Sequence, residues 1–166
     1  MIIIVRTWII AIGFCLFLFI IPLQCFIIGD YNGVGIQGAV FRWQITTEGT
    51  LLIPISHELT YVTSGVYSGK TALMVIFWMA GTIVLSLLTM ISLMYWNHLP
   101  QKYLRFFVIG SIVAVVFYLA SCIAQYGLLL HGPAGVSIPL GVILLLIFSG
   151  LLYSYRVFFF QDTFSN

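Results

Sequence analysis

Between Arg105 and Arg156 the chain reads FFVIGSIVAVVFYLASCIAQYGLLLHGPAGVSIPLGVILLLIFSGLLYSY, from Phe106 to Tyr155, without one charged residue. A hydrocarbon core of about 30 Å takes about 20 helical residues, so this stretch holds two crossings. The run His131-Gly132-Pro133-Ala134-Gly135 breaks it, and predicts spans over 103–130 and 136–158 joined by a short turn. Two further uncharged stretches, 71–96 and 7–29, lie upstream. Each Leu, Ile, Phe or Val near a span centre favours insertion by about 0.3–0.6 kcal/mol. Arg6 before the first run resembles the start of a cleaved signal, but no small-x-small pattern follows and Pro22-Leu23-Gln24-Cys25 is bulky. The first run is therefore read as a retained helix.

The full sequence agrees with this reading. Of 166 residues, 62% are hydrophobic and 6% charged, against about 45–50% and about 25% in soluble domains. That excludes a soluble globule, and six Lys and Arg in all are too few for a nucleic-acid groove. The fold class expected is an all-α integral membrane four-helix bundle, one membrane domain over 1–166, with the lipid bilayer around it. Arg6, Lys102, Arg105 and Arg156 fall on one side and Arg42 and Lys70 on the other, which places both termini in the cytoplasm. Trp8, Tyr95, Trp96, Tyr103, Tyr153 and Tyr155 form an inner aromatic belt, with Trp78 and Tyr126 nearer the outer one.

The segment 30–70 is too long for a plain helix connection. Val40, Phe41, Trp43 and Ile45 favour a strand over 37–47, Glu48-Gly49 marks a turn, and 50–56 returns as a second strand that ends near Pro54. Leu59 to Thr63 is a third strand or the lead into the second span. The first outer loop is thus expected to form a small extracellular β-hairpin or sheet, to which the short third-to-fourth connection adds little. Phe41, Trp43, Leu51 and Ile53 would make an apolar contact patch on it, unless they pack back onto the helices.

Leucine is as soluble in lipid tails as against a neighbouring helix, so helices in a bilayer associate through small residues and polar bonds. Gly110, Ala114, Ser121 and Ala124 supply one such face, and Thr82, Ser86 and Thr89 a hydroxyl stripe. Gln24 and Gln125 fall at similar depth and are expected to bond each other; Pro22 and Pro139 kink or start their helices.

Chemistry is sparse. No charge falls mid-span, which disfavours a monomeric proton-coupled pump. His57, His98 and His131 are not placed for a two-histidine haem; His57-Glu58 with His131 and Asp30 form a weak outer metal candidate without fixed ligand spacing. Cys15, Cys25 and Cys122 have no CxxC spacing, and segment 30–70 contains no cysteine. Gly33-Val34-Gly35-Ile36-Gln37-Gly38 lacks the βαβ setting of a dinucleotide fingerprint. No catalytic residue, cofactor or metal site is expected.

Four spans, cytoplasmic ends, a long β-forming first outer loop and a short second one resemble the layout of the claudin and peripheral-myelin-protein group. The likeness is of plan: that group carries a Trp followed by Gly-Leu-Trp and two cysteines in this loop, whereas Trp43 stands alone and the cysteines are missing. No family membership follows from it. The function expected is a non-enzymatic scaffold or accessory subunit that contacts other membrane subunits or its own copies. The alternatives are an oligomeric channel or transporter lined by Thr82, Ser86, Thr89 and Gln125, and a metal- or redox-associated enzyme subunit using the outer histidines.

Overall fold

A computed structural model describes residues 7–29, 32–96 and 101–163. The element order is α1 (Thr7–Phe19), β1 (Gln24–Ile28), β2 (Gly33–Gln37), β3 (Phe41–Thr46), β4 (Gly49–Pro54), α2 (Ile55–Thr63), α3 (Gly69–Met94), α4 (Gln101–Tyr126), β5 (His131–Gly132), β6 (Gly135–Ile138) and α5 (Leu140–Thr163). The all-α expectation is overturned. Helices are joined to a six-stranded antiparallel sheet of order β4-β3-β2-β1-β6-β5, in which the short third-to-fourth connection supplies the last two strands.

The expected first span divides because of Pro22. Ile20 and Ile21 both donate backbone bonds to the Leu16 carbonyl, which tightens the end of α1. A residue before proline is pushed out of the helical region, so the chain leaves extended. Gln24–Ile28 is apolar enough to have passed for the end of a helix, yet it is a central strand between β2 and β6. At the other end Pro139 closes β6, and its carbonyl accepts the first helical bond of α5 from Ile143. The Leu23 carbonyl takes the N–H groups of Gly141 and Val142, which satisfies donors that a helix start leaves open. Gly135 has φ +121, and a β-carbon at this position would collide with the Ile27 carbonyl oxygen, so no side chain fits there.

α3 and the stretch Tyr103–Tyr126 of α4 are long and apolar enough to cross a membrane, and point to a membrane protein. Trp8–Phe19 and Leu140–Ser154 are apolar but shorter. α3 and α4 run antiparallel: Ser121 donates to the Met74 carbonyl at 2.9 Å, the Tyr118 ring faces Gly81, Leu88 faces Gly110, and Tyr95 and Tyr103 hydroxyls meet at 3.0 Å. Phe14 of α1 lies between Phe107 and Phe148, with ring centroids 5.3 Å away in each case. One apolar core thus draws on α1, α3, α4 and α5.

The sheet enters that core through the tip of its β2–β3 hairpin. Ala39 is fully buried among the helices. The Trp78 indole donates to the Gly38 carbonyl at 3.0 Å, and the Thr82 hydroxyl to the Ala39 carbonyl at 2.6 Å. Tyr118 stands 3.3 Å from that hydroxyl and can donate to it in turn. Irregular backbone inside a bundle needs such donors, because no water supplies them. Thr82→Val keeps the shape and removes the donor. We expect it to lower stability by about 1–3 kcal/mol, the range for an orphaned buried carbonyl, read as a lower midpoint of thermal unfolding in mild detergent.

Candidate functional site

The two faces of the sheet are opposite in character to a half-buried strand at a water surface. Residues paired directly across antiparallel strands share a face. One face carries Gln24, Gln37, Arg42 and Ile53 in a row across β1 to β4, with Phe26 and Ser137 beside them. It packs on the helix ends, and all six residues are buried. The other face carries Cys25, Ile36, Trp43, Leu52 and Ile138 in one row and Ile27, Val34, Ile45 and Val136 in the next. Its residues are half-buried or exposed, up to 66% at Leu52.

The buried face is organised around Arg42, 7% exposed. Its guanidinium donates to Gln37 Oε1 (Nη2 2.9 Å, Nε 3.3 Å) and to Gln125 Oε1 (Nη2 3.1 Å), and Nη2 lies 3.5 Å from Met74 Sδ. Nη1 pairs with Glu58 Oε1 at 3.4 Å. The Phe26 and Trp78 rings flank the cation at 5.3 and 5.8 Å from their centroids, within cation–π range. Gln24 extends the cluster: its amide donates to Gln37 Oε1 at 2.8 Å, and its carbonyl accepts from Cys122 Sγ and Ser137 Oγ. Gln24 and Gln125 therefore do not bond each other as expected; Gln37 and Arg42 stand between them.

Glu58 is the only fully buried residue of α2, and its Oε2 has no hydrogen-bond partner among the described residues. Tyr67 stands beside it. Burial first, and then the negative charge of Glu58, push the Tyr67 hydroxyl above its usual 10.0.

Trp43 lies on the apolar outer face and Leu51 is exposed at the sheet edge, but Ile53 is buried on the helix side and Phe41 is half-buried over Gly38. The four do not form one patch. Gly110, Ala114 and Ser121 lie within α4, with Gly110 and Ser121 against α3 and Ala114 fully buried; Ala124 is half-buried. Thr82 and Thr89 are buried, Thr89 donating to the Leu85 carbonyl one turn earlier, and Ser86 is half-buried. His57 packs edge-on against Tyr61. Among the described residues no three of His, Cys, Asp and Glu gather to hold a metal. Arg6, Asp30 and His98 lie outside the described residues.

Arg42, an outer-loop charge by sequence, is thus buried with Gln37 and Glu58 as partners that the sequence reading did not assign to it. The signal was present: Arg42 is the only charge in an otherwise uncharged strand, flanked by Phe41 and Trp43 on the opposite parity. No known protein family, characterised protein or solved structure matches this chain.

Removing one partner of a buried ion pair strands the other, at a cost of about 3–5 kcal/mol, whereas replacing both by apolar groups costs far less. We expect Arg42→Met to destabilise by about that amount, and the double change Arg42→Met with Glu58→Leu to recover part of the loss, measured as a double-mutant cycle of denaturant unfolding. A raised phenol pKa has a defined sign: the folded state keeps its proton longer than the unfolded state. That contribution is intact below about pH 10 and is lost as pH rises through the folded value. Tyr67→Phe should therefore reduce the fall in stability seen above pH 10.0.

Proposed function

We propose that the protein is a non-enzymatic membrane scaffold or accessory subunit that holds other membrane subunits, or copies of itself, against the outer face of its sheet. The observation that carries the reading is that face itself. Trp43, Ile36, Cys25 and Ile138 lie side by side across four strands, around a shallow depression of about 300 Å³. A contiguous apolar surface of this kind on a folded unit marks a contact site. The opposite face is closed by polar bonds to the helices, which makes the sheet a fixed platform.

In this reading the chain passes the bilayer more than once, α1 and α5 lying alongside α3 and α4, with both ends cytoplasmic. The positive-inside rule supports it, with Arg6, Lys102, Arg105 and Arg156 on one side against Arg42 and Lys70 on the other. The bound species is an apolar surface of another membrane protein, and no nucleic acid is involved.

The test is the mass of the complex extracted in mild detergent, for the wild type and for Trp43→Ser with Ile36→Ser. We expect the wild type to migrate well above one chain of 18.6 kDa, and the double variant to shift to a smaller assembly while keeping its unfolding midpoint within a few degrees. A wild type that extracts as a lone chain, or a variant that keeps the full assembly, overturns the reading.

A further inference from the structure

We infer that two copies of the chain join edge to edge through β4, antiparallel about a two-fold axis at Leu51, so that one sheet runs through both. This rests on the association reading above, names a second copy as one partner, and adds an edge contact to that of the outer face. The sheet ends in β5 on one side, a strand of two residues, and in β4 on the other, a strand of six. β4 is therefore the edge with enough length to pair.

The register says which of its backbone groups are open. Ile55 N–H donates to the Val40 carbonyl at 2.9 Å, which makes that a bonded position of the β3–β4 ladder. Bonded and non-bonded pairs alternate along antiparallel strands. Arg42–Ile53 and Gln44–Leu51 are then bonded pairs, and Thr50 and Leu52 turn their N–H and C=O away from β3. Pro54 occupies the same outward parity, where its missing N–H costs the ladder nothing.

Thr50 and Leu52 flank Leu51 symmetrically. A second β4 laid antiparallel places Thr50 opposite Leu52 of the second copy and Leu52 opposite Thr50, for four backbone bonds, with Leu51 facing its own equivalent on the axis. Soluble and membrane proteins alike blunt such edges with Lys, inward charges or bulges. Gly-Thr-Leu-Leu-Ile-Pro has no charge, and Leu51 and Leu52 are 52% and 66% exposed. The nearest carboxylate, Glu48, falls beside Pro54 of the second copy and away from its own twin, so nothing repels across the axis. Leu52 also continues the apolar row of Trp43, Ile36 and Cys25, so pairing extends the outer face without a polar break.

Leu51→Cys tests the geometry in the full chain, in membranes, with Cys15 and Cys25 replaced by Ser. Facing residues of a non-bonded pair have α-carbons about 4.5 Å apart, within reach of a disulfide. We expect mild oxidation to give a covalent dimer of the 18.6 kDa chain, and Ile45→Cys in the same background to give none. Leu52→Pro removes an outward donor that β3 does not use. It should abolish both the Leu51→Cys crosslink and the native dimer while the unfolding midpoint stays near that of the parent. No crosslink at Leu51→Cys, a crosslink to a different protein, or a dimer that survives Leu52→Pro overturns the inference. If association survives Leu52→Pro but is lost in Trp43→Ser with Ile36→Ser, the outer face holds the partner and only the edge pairing fails.

Discussion

A guanidinium shut away from water has to be surrounded by acceptors, and Arg42 draws its surroundings from β1, β2, α2, α3 and α4. These neighbours come from five separate elements, so the cation is satisfied only when sheet and helices stand in one relative position. Replacing such a cluster by hydrocarbon would serve stability as well or better. What it adds is discrimination: a strand slip of one residue would carry Arg42 to the outer face and leave Glu58 uncompensated beneath the sheet. The Gly38-Ala39 tip acts in the same sense, since its carbonyls meet their donors only when the hairpin is seated on Trp78 and Thr82.

With polarity spent on the inside, the outside of the sheet is left apolar. The residues that would normally seal a sheet onto a core, Ile27, Val34, Ile36, Trp43 and Val136, are turned away from the helices. Hydrophobic residues buried on the helix side, such as Phe26 and Ile53, are few by comparison. A sheet of this kind is held on its support by polar bonds and left apolar on its exposed side, and the proposed association rests on that contrast.

The long helices were legible from the absence of charge alone, because 1.5 Å per residue and the bilayer thickness leave little choice over 71–96 and 103–130, although α4 ends at Tyr126, short of that reading. β3 and β4 were legible from β-branched and aromatic residues around the Glu48-Gly49 turn. β1 and β6 were not. Each is a short apolar run next to a longer one, and a buried strand and a buried helical segment have the same composition at that length. Pro22 and Pro139 carried the information, as breaks between strand and helix rather than kinks within a helix. The Arg42 cluster was hidden for a different reason: Gln24, Glu58 and Gln125 reach it from far along the sequence, and no spacing rule links them.

The pairing of β1 with β6 carries a consequence for biogenesis. Gly135–Ile138 leaves the ribosome long after Gln24–Ile28, so one edge of β1 stays unpaired until α3 and α4 have both been made. Until then β1 presents an unpaired row of backbone donors and acceptors, open to pairing with any other strand. Contacts closed over so large a sequence separation are slow to form, and the last hairpin of the chain is the one that completes the sheet.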